Sequence, residues 1–595
     1  MFAIGGGAAH ATAAETPASN VGELLDLPFE DLLQVQIRSA GKRAEQIRDI
    51  PASVTIVTRD EIARYGWQSL EQVLRSVPGF FVLDNTEERF IGTRGAVGGG
   101  VQFLVNGVAQ HPSRQKTLTV PEIDRLDIPV ESIDRIEIIR GPMSVIYGNN
   151  AFQGVVNIVT DAITTHGPRL SASGGNRGTM AAFARLGQQR SDGWWLLNAG
   201  ARRDDGLQGA YARMMSPAQL AAMDPAMNPD MDGDMDQRTV SLELAGGWHG
   251  LRGDLRWHHR DYGIYAFTPA FDDGTRIRLD TLHASLGLAH RFSDRLGLRI
   301  TGTHSSEHYD AYQVDFLFDD LDGDQDQTSR RWELELDLHW QPNRRLDALA
   351  GYRFLQLDQV RNRIHFLPLI DATDRLDDYR IHDLFAETGW QVNPRLRLVA
   401  GARLSLLPGA YRTRRNNRGT GVLSTSTLRL DDDKQLNGRV ALLWSPTDTQ
   451  VVKLIWGTAS QDAGDSAFAE LEQIETLELN STLTGERFLL SASLFQNRID
   501  NIARTIQALD TATGDYLPVD DNSGRWRTRG LELIADARPL AHLNLSASLT
   551  WQQTQDLATR FDIGYSPTLL AKLRADFRRG PVTYAAYANY VDTMD

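Results

Sequence analysis

Alternation of apolar and polar residues constrains the fold of this chain more than any other feature, and it dominates the sequence after Thr165. Apolar side chains occupy every second position in several stretches, at residues 282–288, 296–300, 332–340, 396–404, 488–494 and 543–551. Alternation over about eight to ten residues is typical of transmembrane β-strands, whose side chains face lipid and the barrel interior in turn. The pattern predicts a large antiparallel β-barrel in a membrane.

The connections between these stretches are of two kinds. Tight turns such as "RSDGW", "RFSDRL", "QVNPRL" and "RRGPV" contrast with long polar connections at 207–237 and 316–330, as in barrels with short turns on one side of the membrane. A soluble sandwich or propeller is the alternative, but the sequence shows no internal repeats. Tryptophans at the strand ends suit the aromatic belts of a membrane protein: Trp194, Trp195, Trp257, Trp340, Trp390, Trp444, Trp456 and Trp551.

Composition narrows the remaining function classes. The 595 residues carry 62 Lys and Arg against 77 Asp and Glu, and the formal net charge of −15 argues against a nucleic-acid binder. No run of about 20 apolar residues predicts a membrane-spanning helix. The chain has no cysteine, which excludes disulfides and thiolate chemistry. The first 19 residues resemble the remnant of a secretory signal, with Ala11-Thr12-Ala13 as a small-residue cleavage site, or else a flexible terminus.

The segment before the alternating strands predicts a compact α+β unit. Residues 52–58 form a β-branched strand, and Thr58 with Glu61 has the spacing of a capping box at the start of a short helix. Ser69 and Gln72 repeat that spacing before a second helix. The chain therefore divides into four parts: a signal remnant (1–19), a polar lead (20–38), the α+β unit (39–163) and the barrel (164–595).

Several segments of the α+β unit closely resemble the plug domain of TonB-dependent outer-membrane receptors, in that family's order and spacing. They are "DIPASVTIVTRDEI" (49–62), "SLEQVLRSVPGFFV" (69–82), "IGTRG" (91–95), "FLVNGV" (103–108) and "RIEIIRGPMSVIYGNNAFQGVVNIVT" (135–160). In the barrel, "LFQNRIDNI" (494–502) and "RTRGLELIADARP" (527–539) resemble late strands of the family. The resemblance implies a monomeric barrel of about 22 strands in the Gram-negative outer membrane, with the plug inside its lumen. Because the chain ends at Asp595 without a terminal aromatic residue, we expect the last strands to be missing from this sequence.

The resemblance also selects a set of plug residues whose role is shape and not catalysis. Glycine permits positive φ or close backbone approach inside a narrow lumen, proline fixes a bend, and asparagine tolerates left-handed turns. We expect Arg94 and Arg140 to meet acidic residues of the inner barrel wall, although Arg140 has capping of its local turn as an alternative. The plug motif consists of Arg94, Gly95, Arg140, Gly141, Pro142, Tyr147, Gly148, Asn149, Gly154 and Asn157.

Membership of this family would imply active import that is energised from the inner membrane by the TonB complex. TonB grips a short N-terminal segment, the TonB box, by strand addition, which depends on main-chain hydrogen bonds and requires little exact sequence. The alternative is that the candidate segment is the first strand of the plug. The implied partners are TonB, lipopolysaccharide and other outer-membrane lipid, and a small-molecule ligand. The candidate box consists of Leu33, Gln34, Val35, Gln36 and Ile37.

The ligand is the least constrained part of the prediction. A ferric siderophore is expected because it is the commonest cargo of the family. No cofactor is required, but two acidic loops could offer oxygen ligands to a structural Ca²⁺, as in the family's cobalamin receptors, which makes cobalamin the second candidate. A solvated anionic loop is the alternative. The candidate Ca²⁺ ligands are Asp230, Asp232, Asp234, Asp319, Asp320, Asp322 and Asp324.

Three further classes carry less weight. A haem receptor would need an axial histidine, for which His111 in the plug or His365 in a later loop are candidates. An enzyme is not expected: "GTRGAVGGG" lacks the Lys-Ser/Thr ending of a phosphate loop, and His258 and His259 face opposite ways in a strand. A passive porin would share the barrel but would lack the plug.

Overall fold

The chain has two structural units, a small plug and a large antiparallel sheet. The computed structural model describes residues 36–37, 42, 45–84, 89–97, 100–110, 126, 128–149, 151–160, 167–206, 208–209, 216–221, 233, 235–264, 275–314, 323–366, 370–417, 423–461, 471–509, 516–562 and 566–594. The predicted signal remnant lies outside these residues.

The plug, defined here as the described residues between 45 and 160, is an α+β unit. Its elements, together with the short strand that precedes it, are β1 (Gln36–Ile37), β2 (Glu45–Gln46), a 3₁₀ turn (Ile47–Asp49), β3 (Ser53–Thr58), α1 (Arg59–Tyr65), α2 (Leu70–Arg75), β4 (Phe80–Asp84), β5 (Arg89–Thr93), β6 (Ala96–Val97), β7 (Val101–Val105), β8 (Val108–Ala109), a 3₁₀ turn (Val130–Ser132), β9 (Arg135–Arg140), α3 (Ser144–Tyr147) and β10 (Gly154–Val159). Five strands form a sheet in the order β3-β9-β10-β7-β8, and β4, β5 and β6 form a second one.

The start of each plug helix follows from the sequence. The Thr58 side chain accepts a hydrogen bond from the Glu61 amide while the Glu61 carboxylate accepts one from the Thr58 amide, so the predicted capping box is confirmed. Ser69 likewise accepts a hydrogen bond from the Gln72 amide at the start of α2. Both helices pack on the five-stranded sheet, around a core that contains buried Trp67. The predicted order of strand, helix, helix and strand is confirmed.

The remaining strands form one antiparallel sheet, here called the wall. They are β11 (Arg169–Gly174), β12 (Met180–Gln189), β13 (Gly193–Asp204), β14 (Gln237–Trp248), β15 (Leu251–Ile264), β16 (Thr275–Ser293), β17 (Leu296–Val314), β18 (Gly323–Asn343), β19 (Leu346–Phe366), β20 (Ile370–Asp377), β21 (Tyr379–Asn393), β22 (Leu396–Leu407), β23 (Tyr411–Asn416), β24 (Ser424–Arg429), β25 (Asp433–Thr447), β26 (Gln450–Gln461), β27 (Glu472–Gly485), β28 (Phe488–Leu509), β29 (Tyr516–Leu540), β30 (Leu543–Asp556), β31 (Leu569–Arg579) and β32 (Val582–Val591). A short helix, α4 (Pro217–Ala221), lies between β13 and β14.

The wall contains 22 strands, counted over the part of the chain that the structure describes, and three of them leave the continuous series. Strand β19 pairs with β21 over its first half and with β20 over its second half. Strand β20 pairs with β23, and β23 pairs with β24. Strand β22 pairs directly with β25. The continuous series thus bypasses these three strands, which extend one end of the wall.

The two faces of the wall differ in chemistry, as the alternation predicts. On β21, Leu384 and Trp390 are 53 % and 49 % exposed, whereas Asp383 and Glu387 at positions of opposite parity are each at most 2 % exposed. Large apolar side chains therefore cover the outer face, and charged side chains point inward at the plug. Apolar outside and polar inside is the arrangement of a membrane barrel.

The two ends of the wall differ in the length of their connections. Every second connection of the continuous series is a turn of two or three residues, for example 294–295, 344–345 and 394–395, while others, such as 265–274 and 462–471, are longer. In barrels of this kind the short turns are periplasmic. Over the described residues, no helix is long and apolar enough to cross a membrane.

Two sequence predictions about connections are wrong. The predicted loop 316–330 is strand from Gly323 onward, so Asp324 lies on β18. His365 also lies on a strand, β19, and is paired in register with Asp324. These strands of about 20 residues exceed the 9–11 that span a membrane, and their outer parts are polar on both faces. Alternation fails there because neither face meets lipid.

Candidate functional site: the interface between plug and wall

Arg94 is buried between the plug and the wall, where two carboxylates bind it. It follows β5 and donates from Nη1 to Glu478 Oε2 at 2.7 Å and from Nε to Glu532 Oε1 at 3.2 Å. Its Nη2 donates a second bond to each carboxylate, at 3.1 and 3.2 Å. Burial alone would lower the pKa of Arg94, but the charges of Glu478 and Glu532 outweigh it and raise that pKa above its ordinary value. The guanidinium stays charged, and the contact predicted for Arg94 is confirmed.

Arg140 contacts the same acidic pair less directly. Its Nη1 lies 3.9 Å from Glu532 Oε2, so the predicted acidic neighbour is present. Its shortest hydrogen bond goes from Nη1 to the carbonyl of Pro78 at 2.9 Å. That carbonyl belongs to the turn after α2 and not to the local turn of Arg140. The arginine thus joins two segments of the plug beneath the wall carboxylate.

Two glycines of the plug motif are required by close approach as well as by backbone shape. Gly95 has φ +88°, and a Cβ there would lie 2.2 Å from Thr554 Oγ1 and 2.3 Å from Thr528 Oγ1 of the wall. Gly148 has φ +78°, and its Cβ would lie 2.2 Å from Arg353 Nη2. A side chain at either position would displace wall atoms and would also carry the strain of a positive φ. At both positions the plug backbone lies directly against wall side chains.

The other motif residues fix the fold of the β9–α3–β10 segment, in which Gly141 follows β9 and Gly154 begins β10. Pro142 packs on wall residue Gly457, where an added Cβ would come within 3.0 Å of Pro142 Cγ. Asn149 Oδ1 accepts a hydrogen bond from wall residue Ser460 at 3.2 Å. Asn157 stays inside the plug: its Nδ2 donates to Glu137 Oε2 at 3.1 Å and its Oδ1 accepts from the Gly107 amide at 2.9 Å.

Two lysines of the wall donate hydrogen bonds to backbone carbonyls of the plug. The sequence analysis did not predict them. Lys453 on β26 donates to the carbonyls of Ile47, Ile50 and Ala52 at 3.0, 2.8 and 3.1 Å. Lys572 on β31 donates to the carbonyls of Arg75, Val77 and Phe80 at 2.6, 2.5 and 2.6 Å. Each ammonium thereby uses all three of its protons on plug carbonyls. A single lysine at an inward position of an apolar strand, as in "VVKLIWG" (451–457), was the available signal.

A third cluster of wall side chains that binds plug carbonyls lies beneath α3 and consists of two arginines and one aspartate. Arg403 Nη1 donates to the carbonyls of residues 144, 145 and 146, at 3.4, 3.0 and 3.1 Å. Arg353 Nη1 donates to the carbonyl of Tyr147 at 3.0 Å. Asp383 lies between the two guanidinium groups, with Oδ2 at 2.7 Å from Arg353 Nε and 3.1 Å from Arg403 Nη2. These cations supply donors to the carbonyls of a one-turn helix, where few intrahelical donors are available, although the Ser144 carbonyl also accepts a bond from the Gly148 amide at 2.8 Å.

The segment before the plug pairs with the start of the plug, and residues beside this pairing contact the wall. Gln36–Ile37 pairs with Glu45–Gln46 in a two-stranded ladder apart from the main plug sheet. Lys42 Nζ lies 2.5 Å from Glu335 on β18. Glu45 lies 3.9 Å from Arg397, the second residue of β22 after a short turn. Of the candidate TonB box, Leu33, Gln34 and Val35 lie outside the described residues.

Most of the candidate ligand-binding residues lie outside the residues that the structure describes. His111 and six of the seven candidate Ca²⁺ ligands lie outside the described residues: Asp230, Asp232, Asp234, Asp319, Asp320 and Asp322. Asp324 Oδ1 lies 3.1 Å from His365 Nδ1. Within the described part of the chain, no group of three or more His, Asp or Glu is placed to hold a metal ion.

Comparison with known families matches both units. The family "TonB dependent receptor-like, beta-barrel" matches residues 228–595, and the "TonB-dependent Receptor Plug Domain" matches residues 46–155. The iron-regulated outer membrane virulence protein of Vibrio cholerae is 35% identical over 133 residues, 21% of this chain and 20% of that protein. The vitamin B12 transporter BtuB of Photobacterium profundum is 30% identical over 187 residues, 30% of this chain and 29% of that protein. The aligned parts thus span less than a third of either relative.

Solved structures share the fold over almost the whole chain. The ferric yersiniabactin uptake receptor FyuA of Yersinia pestis superposes with a TM-score of 0.71 at 16% identity, covering 92% of this chain and 87% of that one. The alcaligin outer membrane receptor FauA of Bordetella pertussis gives a TM-score of 0.68 at 17% identity, with coverages of 96% and 93%. The plug motif, the plug-filled wall and the two family matches agree, and the chain belongs to the TonB-dependent receptors, which are outer-membrane receptors and not enzymes.

Proposed function

We propose that this protein actively imports a scarce ligand, most simply a ferric siderophore, across the outer membrane. The ligand binds at the extracellular side, and TonB rearranges the plug to open a path. The main support is the buried bond set of Arg94, which holds the plug against Glu478 and Glu532 inside the lumen. A barrel filled in this way is closed to passive diffusion, which disfavours a porin.

The closed lumen explains why an energy source is needed. Separating Arg94 from its carboxylates breaks its ion pairs with Glu478 and Glu532, and breaking a buried ion pair costs about 3–5 kcal/mol. The hydrogen bonds from Lys453, Lys572 and Arg403 to plug carbonyls add to that barrier. An outer membrane has no nucleotide supply of its own, so work delivered from the inner membrane through TonB is the fitting source.

The candidate TonB box is Leu33, Gln34, Val35, Gln36 and Ile37. Support comes from its neighbour Glu45, which contacts Arg397 beside a short turn of the wall, a location that fits the periplasmic end. Gln36–Ile37 already has strand conformation and pairs with β2. Strand addition to TonB would replace that short ladder with a longer one.

A ferric siderophore is favoured by the name of one relative, the iron-regulated virulence protein of Vibrio cholerae. Cobalamin is the second candidate, because the other relative is a vitamin B12 transporter. A Ca²⁺ ion in the acidic segments around 230–236 and 319–324 would suit that second candidate. Binding of labelled siderophores and cobalamin to the purified protein, with and without a Ca²⁺ chelator, separates the two. Chelator-sensitive cobalamin binding without siderophore binding would overturn the siderophore assignment.

The test of active import uses a strand-breaking substitution in the candidate box. Ile37→Pro removes a backbone donor and should abolish uptake while ligand binding persists, because proline blocks strand pairing. Ile37→Val is the matched control and should leave both unchanged. Uptake should also stop in cells that lack TonB or a proton-motive force. Undiminished uptake in such cells would refute active import, whereas loss in those cells with normal uptake by Ile37→Pro would exclude only this box.

A further inference from the structure

A recess on the outer face of the wall lies beside the short turn that joins β18 and β19. It measures about 500 Å³ and is lined by Asn343, Arg344, Arg345, Leu346 and Trp390. Trp390 is 49 % exposed and occupies an outward position of β21. The recess therefore opens toward the membrane and not toward the plug.

The surroundings of this recess are strongly basic on a protein that is acidic as a whole. Three adjacent short turns, together with the end of β16, carry five exposed arginines against one exposed carboxylate, Asp294. None of the five forms an ion pair with a described residue, so their charge is available to a ligand. The overall charge of −15 makes this local excess distinctive. The five arginines are Arg291, Arg295, Arg344, Arg345 and Arg395.

Hydrogen bonds hold the backbone of the recess in place. Asn343 Oδ1 accepts bonds from the amides of Arg345 and Leu346 at 2.8 and 3.0 Å. The Arg345 carbonyl accepts a bond from the amide of Gln391 on the neighbouring β21 at 2.7 Å. The two turns are thus tied together, and only the arginine side chains remain to be ordered on binding. Preorganisation of this kind lowers the entropic cost of binding.

The depth of the recess matches the headgroup layer. Trp390 faces Leu346 directly in the strand register, and Arg345 is the next residue toward the turn. Exposed indoles mark the interfacial layer of a membrane, and one residue further along a strand is about 3.3 Å. The arginines therefore extend from the indole level toward the lipid phosphates. Guanidinium groups bind phosphate oxygens in pairs, with planar geometry.

We propose that this recess is a binding site for an anionic phospholipid of the periplasmic leaflet. Arg344 and Arg345 bind the phosphodiester, and Trp390 with Leu346 contacts the adjoining glycerol and acyl carbons. The local excess of positive charge selects a net anionic headgroup over a zwitterionic one. The site anchors the barrel at a defined depth and is independent of the transported ligand.

The test measures lipid retention by the purified full chain with native mass spectrometry. Phosphatidylglycerol and phosphatidylethanolamine of equal chain length are titrated separately, and inorganic phosphate is added as a soluble competitor. The wild-type protein should bind phosphatidylglycerol more tightly, and Arg344→Gln/Arg345→Gln should weaken that binding on the order of tenfold. The control is Arg578→Gln/Arg579→Gln, which removes another exposed pair beside a short turn whose strands contain no tryptophan. It should change binding less than twofold.

Four outcomes would overturn the proposal. Equal affinity for the two lipids would remove the charge selection. Equal losses in both double variants would indicate diffuse attraction and not a site. Displacement of the lipid by millimolar phosphate would assign the recess to a soluble anion. Retention of a periplasmic protein that is lost with Arg344→Gln/Arg345→Gln, without any lipid preference, would make the surface a protein interface.

Discussion

The plug is held to the wall in two chemically different ways on different parts of the interface. On the side of β27 and β29, the plug supplies the cation, Arg94, and the wall supplies the carboxylates Glu478 and Glu532. On the side of β19, β22 and β26, the wall supplies cations, and they bind mainly backbone carbonyls of the plug. Both kinds of contact occur at β31, where Lys572 binds carbonyls and Asp576 accepts from Arg64 of the plug. The first attachment depends on plug side chains, above all Arg94, whereas the second depends on the plug's backbone shape.

This difference bears on how each attachment responds to loss. Removing Arg94 leaves two buried carboxylates with only Arg140, 3.9 Å from Glu532, as a neighbouring cation, and this state is costly because ions are poorly solvated there. Removing a wall lysine takes the buried charge away and leaves only neutral carbonyls unpaired, at a smaller cost. We therefore expect the Arg94 ion pairs to set the main barrier to plug movement. The hydrogen bonds from wall cations to plug carbonyls should fix the position of the plug in the wall.

Plug opening can be followed at a single site because the chain has no cysteine. Ser76 is 2 % exposed within the plug, and Ser76→Cys supplies a buried thiol there. The urea concentration at which this thiol reacts with a maleimide reports the stability of the plug. All the stability predictions below use this background.

The largest effect is expected for Arg94→Met, which should lower plug stability by about 3–5 kcal/mol through the stranded carboxylates. Combining it with Glu478→Gln should recover part of the loss, because Glu532 then remains to balance Arg140, whose Nη1 lies 3.9 Å from Glu532 Oε2. Measurement is by thiol labelling in urea. A loss below about 1 kcal/mol for Arg94→Met, or no recovery in the variant that also carries Glu478→Gln, would contradict the assigned role of the two carboxylates.

A smaller loss, about 2 kcal/mol, is expected for Lys453→Met, because the carbonyls of Ile47, Ile50 and Ala52 lose their donor. Exposed Lys434 on the neighbouring strand β25 provides the matched control, and Lys434→Met should leave labelling unchanged. If Lys453→Met proves as costly as Arg94→Met, the two attachments are equivalent, and the distinction drawn between them is wrong.

The smallest difference is expected between two glycine substitutions in the plug. Gly95 and Gly66 both have positive φ, but a Cβ would meet wall threonines only at Gly95 and has no atom within 4 Å at Gly66. Both alanine variants introduce backbone strain. Gly95→Ala adds a clash with the wall, which should lower plug stability by about 1–3 kcal/mol more than Gly66→Ala does. Equal labelling curves for the two variants would show that the wall gives way at Thr528 and Thr554.

Local signals in the sequence predicted much of this architecture. The Thr58–Glu61 spacing fixed a helix start, and Gly95 and Gly148 lie where positive φ and close approach coincide. The contact of Arg94 with wall acids was also predicted. In each case the information lies in residue type and spacing over a few positions.

The hydrogen bonds from wall cations to plug carbonyls were not predicted from the sequence. Lys453, Lys572, Arg353 and Arg403 bind backbone groups, which every residue possesses, so no pattern in the plug sequence marks their partners. The strand extension at Gly323 was missed for a related reason. Alternation records which face meets lipid, and it disappears where a strand continues into water.

Whether the plug must leave the wall for import is tested most directly by a reversible covalent tie. Ser53 Oγ of β3 lies 3.3 Å from Ser493 Oγ of β28, a separation that suits a disulfide after Ser53→Cys and Ser493→Cys. Each single cysteine variant serves as a control. With the disulfide formed, ligand binding should persist, uptake should stop, and a reducing agent should restore it. Uptake at the wild-type rate through the oxidised, cross-linked protein would contradict the claim that import requires the plug to separate from this part of the wall.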